Sequence, residues 1–274
     1  MKKQERTFVL GDIHGGFKAL IQVLERAEFD YEYDELIQLG DVADGWSETY
    51  ECVEELLKIN KLIALRGNHD QTFNQWLKTG SHPYNWDQGA LETLKSYCRA
   101  VDFELKYTTT VRRDAFNKEI YMHLVNAIPE IIPDAHRDFF RKQIKYYNDG
   151  ENLFVHAGFE RSLPIKDQSE DILYWDRTLW NKAMAARSSQ SPMKFEETAQ
   201  EVFIGHTTVT SWDVDVPIKA DRIWNMDTGA GFDGRLSMMN IHTKELYQSD
   251  PLMELYPNEI GRYKKRKKKK LPWV

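Results

Sequence analysis

The chain has 274 residues, 41% of them hydrophobic and 12% aromatic, which is enough to bury a sizeable core within one large domain. Two cysteines, Cys52 and Cys98, exclude a disulfide framework and a zinc-thiolate site. No apolar stretch approaches the roughly 18 residues of a membrane span, and only Thr7–Leu10 follows the charged start, so no signal-peptide core is expected and a cytoplasmic protein is. The formal net charge of −6 conceals an asymmetry: Arg262–Lys270 holds 8 basic side chains, leaving 29 basic against 43 acidic residues, or −14, for the remainder. A like-charged block of this kind is expected to be a disordered tail, residues 262–274, suited to weak contact with nucleic acid or an anionic surface.

In chain order, Thr7–Leu10 reads as a strand that stops at Gly11, and Phe17, Leu20, Ile21, Val23, Leu24 and Ala27 then recur near helical spacing. Glu35–Leu39 repeats the strand signal before Gly40, and Tyr50 to Ile59 gives a second amphipathic helix. Leu62–Leu65 leads into Arg66 and Gly67. This βαβαβ rhythm predicts parallel strands covered by helices, with ligands outside the carboxyl ends of the strands. Residues 71–147 are less regular and are expected to form a helical, aromatic-rich insertion over the site, with helices at Ala90–Ala100 and Asp134–Tyr147. Strands return at Asn152–Val155, Glu201–Ile204 and Ile223–Met226. Leu236–Ile241 and Glu245–Gln248 predict a closing hairpin, so 1–261 is expected to be one domain.

Five strand-like runs end at a glycine and a residue able to bind metal: Gly11-Asp12-Ile13-His14, Gly40-Asp41-Val42-Ala43-Asp44, Gly67-Asn68-His69-Asp70, His156-Ala157-Gly158 and Gly205-His206-Thr207. Asp12 and His14, two residues apart, can point to one face and hold a cation through oxygen and nitrogen. Asp41 can bridge to a second ion held by Asn68, His156 and His206. Two cations about 3.5–4 Å apart lower the pKa of a bridging water and stabilise an in-line displacement at phosphorus. His69 is placed to protonate the leaving alkoxide, with Asp44 fixing its other ring nitrogen. A phosphate dianion also needs cationic or amide clamps, for which Arg177, Arg66 and Asn68 are the candidates.

In these motifs and their order the chain resembles the calcineurin-like metallophosphoesterases, over roughly Thr7 to Ser249. Within them it is similar to the phosphoprotein phosphatase branch, which includes bacterial and phage serine/threonine phosphatases and symmetrical diadenosine tetraphosphatases. The resemblance implies an α/β, four-layer αββα sandwich with two central mixed sheets. It implies one metal on Asp12, His14 and Asp41, a second on Asp41, Asn68, His156 and His206, and His69 with Asp44 as the general acid pair. Trp175-Asp176-Arg177 resembles the segment that delivers a phosphate-binding arginine in bacterial members, and Asp227-Thr228-Gly229 with Gly234-Arg235-Leu236 resembles a C-terminal hairpin.

Three positions depart from that branch. Gly45 follows Asp44 where an arginine that touches phosphate is usual, Asp70 stands where glutamate is common, and Thr207-Thr208 lacks the second histidine of the wider superfamily. The expected function is a two-metal phosphatase acting on phosphomonoesters, with phosphoserine, phosphothreonine or phosphotyrosine proteins as substrates and manganese ahead of iron, zinc, nickel or magnesium as the metal. The alternatives are a dinucleoside polyphosphate hydrolase, a nucleic-acid end phosphatase, and a binding module without turnover.

Overall fold

The computed structural model describes residues 5–83, 86, 88–113, 119–189, 193–195 and 198–263. In chain order the elements are β1 (Thr7–Leu10), α1 (Phe17–Arg26), β2 (Glu35–Gln38), α2 (Thr49–Leu56), β3 (Lys61–Ala64), α3 (Asn68–Thr79), α4 (Ala90–Ala100), β4 (Tyr107–Arg113) and β5 (Glu119–Val125). They continue with α5 (Asp134–Lys142), β6 (Tyr146–Asn148), β7 (Asn152–Val155), α6 (Glu170–Trp175), α7 (Thr178–Ser189) and β8 (Glu201–Ile204). The last are β9 (Ile218–Ala220), β10 (Ile223–Asn225), β11 (Ser237–Asn240), β12 (Leu246–Gln248) and α8 (Leu252–Leu255).

Two mixed five-stranded sheets carry the fold, in the orders β12-β11-β1-β2-β3 and β6-β7-β8-β10-β9. In the first, β1, β2 and β3 are parallel and antiparallel β11 and β12 close one edge; in the second, β7, β8 and β10 are parallel between antiparallel β6 and β9. Side chains on a strand alternate between faces, and here both faces are buried. Phe8, Leu10, Leu36 and Met238 point into a core shared with the helices that precede β6, whereas Val9, Ile37 and Met239 point the other way. From the second sheet Phe154 and Phe203 meet that inner face, stacked 5.1 Å apart, while Leu153, Val155, Val202 and Ile204 pack under α6 and α7. The result is a helix, sheet, sheet, helix sandwich in four layers.

Two expectations for the middle of the chain are corrected. The helix starting at Asp134 ends at Lys142, because Gln143 turns to extended backbone (φ −51°, ψ 135°), and Tyr146–Asn148 is an edge strand antiparallel to β7. Between α4 and α5 the chain forms a hairpin, β4 with β5, from Tyr107 opposite Val125 to Arg113 opposite Glu119. The run Tyr107-Thr-Thr-Thr-Val-Arg-Arg has β-favouring residues but no apolar alternation to announce it. Trp86, Gly89 and Thr93, just before and within α4, pack directly on Asp44 and Gly45. No helix of the described residues is long and apolar enough to cross a membrane. Residues 264–274 of the expected tail lie outside the described residues.

Candidate active site

Each of the five loops leaves the carboxyl end of a strand, and the third turns through Gly67 into α3. The loops are bonded to one another: the amides of Ile13 and His14 donate to Asp41 O at 3.0 and 2.9 Å, and the Gly205 amide donates to His156 O at 2.8 Å. Four site residues, His14, Asp41, Asp44 and His206, hold left-handed backbone with φ between 52° and 67°. Such a conformation costs a non-glycine residue about 1–3 kcal/mol and persists only where surrounding bonds over-determine it. The inter-loop hydrogen bonds supply that constraint.

Asp12, His14 and Asp41 bring one ligand atom each within 4.8 Å of one another, and so do Asp41, His156 and His206. Asp41 is common to both groups. His14 Nδ1 lies 2.8 Å from Asp44 O and His156 Nδ1 lies 2.8 Å from Leu39 O. A carbonyl only accepts, so both Nδ1 atoms carry hydrogen. Burial keeps His14 neutral with a lone pair on Nε2. Against the effect of burial, Asp41 raises His156 to about 9, so its Nε2 would offer a lone pair to a cation on giving up a proton. Those Nε2 atoms face Asp41 Oδ2 at 3.7 Å from His14 and 3.5 Å from His156. Asn68 Oδ1 joins the second group, 2.7 Å from His206 Nδ1 and 3.1 Å from His156 Nε2.

This arrangement fits divalent cations. Asp12 Oδ1 is buried without a hydrogen-bond partner, an expensive position for a carboxylate oxygen that a cation would relieve. Burial and the nearby Asp227 push the Asp12 carboxyl well above its usual range, as happens where acidic groups crowd with too few cations. His206 is driven down to about 2, chiefly by burial and then by His156 and Arg177, and so stays the neutral imidazole that binds metal. Space is reserved as well: a Cβ on Gly205 would stand 2.0 Å from Asp12 Oδ1, and one on Gly67 2.0 Å from Asp41 Oδ1.

His69, the second residue of α3, donates its backbone N–H to Asp41 Oδ1 at 2.9 Å, and its ring Nδ1 lies 2.8 Å from Asp44 Oδ2. Asp44 is fully buried. Its carboxylate accepts from Trp86 Nε1 at 2.8 Å and from Thr93 Oγ1 at 2.9 Å. Burial raises the Asp44 carboxyl to about 7 even so, against the pull of Trp86 and Thr93. Sequence alone gave Trp86 and Thr93 no role; neither lies in a motif. Asp70, noted only as a departure, proves to be a clasp. Its Oδ1 accepts the Val42 and Ala43 amides at 2.9 and 3.0 Å, and its Oδ2 accepts the Gly67 amide at 3.2 Å and Gln143 Nε2 at 2.8 Å. It joins the second motif to the third.

The arginines divide. Arg177 Nη1 donates to His206 O at 3.2 Å and to Thr207 Oγ1 at 3.0 Å, on the border of the second group. Arg66 is used differently from the expectation: its Nη2 donates to the carbonyls of Phe140 and Arg141 at 2.8 and 3.0 Å. Those are orphan acceptors at the end of α5, so Arg66 caps a helix and is not gathered with the ligand cluster. Arg262 corrects the tail boundary. Its Nη1 sits 3.1 Å from His14 Nε2 and its Nη2 donates to Gln88 Oε1 at 3.0 Å, so residue 262 belongs to the site. A basic run in sequence does not reveal that its first member is tied down.

The profile of the calcineurin-like phosphoesterases matches residues 5–216. The chain belongs to that family. Among named relatives, this phosphoesterase is 37% identical over 70 residues to serine/threonine-protein phosphatase 1 of Salmonella typhimurium, covering 26% of this chain and 32% of that protein. It is 34% identical over 65 residues to a symmetrical bis(5'-nucleosyl)-tetraphosphatase of Glaesserella parasuis, covering 23% of this chain and 24% of that one. The chain thus matches about a third or a quarter of the length of these relatives. In fold it is similar to a provisionally named diadenosine tetraphosphatase, with a TM-score of 0.58, 15% identity and coverage of 89% and 92% of the two chains. It is similar also to a cold-active protein-tyrosine phosphatase of a psychrophilic Shewanella, with a TM-score of 0.51, 11% identity and coverage of 90% and 78%.

Proposed function

We propose that this phosphoesterase is a cytoplasmic phosphatase that hydrolyses phosphomonoesters of alcohols, with phosphoserine and phosphothreonine in proteins as its substrate class. Asp12, His14, Asp41, Asn68, His156 and His206 would hold two divalent cations, manganese first among the metals that suit an oxygen and imidazole set. Bound there, the cations supply Lewis acidity that activates water and neutralises charge on the phosphoryl oxygens. Arg177 and the Asn68 amide bind those oxygens from the side of His206. His69 delivers the proton to the leaving oxygen, and Asp44 keeps its ring oriented for that transfer.

The observation that carries this is the buried His69, Asp44, Trp86 and Thr93 chain. A serine alkoxide is a strong base and departs only with a proton, whereas a nucleotide phosphate is a weak base and departs without one. A buried, rigidly oriented proton donor therefore matters most for alcohol esters. The test compares wild type with His69→Asn on a phosphoseryl peptide, p-nitrophenyl phosphate and diadenosine tetraphosphate. Loss of about 10²–10⁴-fold is expected on the peptide and a much smaller one on the other two. Equal losses on all three would remove the support that the proton donor gives to alcohol esters.

A second function, hydrolysis of dinucleoside polyphosphates, is favoured by Trp175. Its indole is 48% exposed and lies edge-on to the His206 ring, with centroids 6.2 Å apart, offering a face for a nucleobase beside the cluster. The lysine-rich run 264–270 starts immediately after Tyr263 and suits a polyanion. If this second function holds, Trp175→Ala raises KM for diadenosine tetraphosphate and leaves that for the phosphoseryl peptide unchanged.

A further inference from the structure

The segment from Tyr256 to Tyr263 is fastened across the mouth of the site. Tyr256 stacks on the buried Trp46 with ring centroids 5.0 Å apart, and its hydroxyl donates to Glu48. The Glu259 carboxylate accepts from Ser47 N at 3.1 Å and Ser47 Oγ at 2.8 Å. Gly261 lies against the Trp46 ring in left-handed backbone (φ 55°), where a Cβ would come within 2.8 Å of the indole. Beyond it, Arg262 N donates to Gly231 O at 2.9 Å and the Tyr263 hydroxyl donates to Asp233 at 2.6 Å. Anchors on both sides fix the place of Arg262.

Its stem runs through a slot that two glycines leave open. A Cβ on Gly231 would stand 2.7 Å from Arg262 Cδ, and one on Gly45 3.5 Å from Arg262 Cγ. The guanidinium, 5.0 Å above the Phe232 ring, ends beside the ligand cluster. There its only hydrogen-bond partners among the described residues are neutral, the lone pair of His14 Nε2 and the Gln88 amide oxygen, and its buried Nε has none. Among the described residues no carboxylate hydrogen-bonds this partly buried cation, although Asp44 and Asp227 feel its charge, and its planar fork of donors matches two oxygens of a phosphoryl group.

We infer that Arg262, carried in by the C-terminal strap, binds the phosphoryl oxygens of the substrate, with Gly45 giving passage to its side chain. This rests on the phosphoester chemistry proposed above. His14 Nε2 would hold a cation through the lone pair that Nη1 faces, which would leave the guanidinium free for the anion. The strap therefore supplies from position 262 the cation that Gly45, which has no side chain, does not.

The test is calorimetric titration of the metal-loaded protein with inorganic phosphate, with metal content measured on each sample. Arg262→Ala should weaken phosphate binding by about ten- to a hundred-fold while two ions per chain remain. Arg262→Lys should recover part of the loss, since it restores charge but not the fork. Lys264→Ala with Lys265→Ala should bind phosphate as wild type does. An unchanged dissociation constant in Arg262→Ala overturns the inference, as does a loss of phosphate binding that only follows loss of metal, or an equal loss in the double lysine variant. A wild type that binds phosphate through Arg262 yet hydrolyses no phosphomonoester would refute the proposed function and leave this inference standing.

Discussion

Replacing Asp70 by asparagine isolates one buried clasp without changing volume. The asparagine oxygen can still accept the Val42 and Ala43 amides, but its NH2 group then faces two donors, Gly67 N and Gln143 Nε2. Gln143 can turn its amide, because its Oε1 has no hydrogen-bond partner here and would accept from the new NH2. The Gly67 amide cannot turn. A single buried donor is left unpaired, which costs about 1–3 kcal/mol. Two smaller effects oppose each other: a carboxylate near a helix N-terminus is worth about 0.3–1 kcal/mol, while removing the charge relieves the burial and the Asp41 repulsion that push Asp70 up to about 6. The net expectation stays at about 1–3 kcal/mol of lost stability. Urea unfolding with a chelator present measures it, since bound metal would otherwise add its own stabilisation. The midpoint should fall with the slope unchanged. In a Gln143→Leu background the loss caused by Asp70→Asn should grow, because the new asparagine NH2 then has no amide oxygen to accept from it. Unchanged midpoints in both backgrounds would show that the carboxylate clasp is not holding these loops.

Three further outcomes follow from the same geometry. Gly205→Ala places a Cβ on Asp12 Oδ1, so the purified variant should carry fewer than two metal ions per chain by elemental analysis while keeping its circular dichroism spectrum. Chelation should abolish phosphatase activity and lower the melting temperature, and manganese should restore both; activity that survives thorough chelation would count against a metal centre. His136 is buried against Tyr97 and Glu54, and burial holds its pKa below the ordinary value despite the Glu54 hydrogen bond. As pH falls through about 6.5 the unfolded chain takes up this proton first, so stability drops with acidification. His136→Gln should flatten that part of the urea midpoint against pH curve, and identical curves would refute the assignment.

Sequence pattern was enough to locate the chemistry-bearing ends of the strands. Apolar runs that stop at Gly11, Gly40, Gly67 and Gly205 locate the loops, and the parallel order puts those loops at one edge, because βαβ connections return every strand in the same direction. That Asp12, His14, Asp41, Asn68, His156 and His206 gather at one place was legible for that reason, and so was the proximity of His69 and Asp44, since both sit in the same short loops. Regular strands such as Thr7–Leu10 and Asn152–Val155 were legible to the residue, whereas the polar hairpin at Tyr107–Val125 and the edge strand at Tyr146–Asn148 were not, because pairing and not pattern defines them. What surrounds this cluster emerges only from the folded arrangement. Trp86, Thr93 and Gln143 reach the site from residues 86–143, Arg66 is diverted to the end of α5, and Arg262 comes in from the far end of the chain. Contacts between residues 42 to 248 positions apart leave no local periodicity, so the supporting shell exists only once the sandwich has closed.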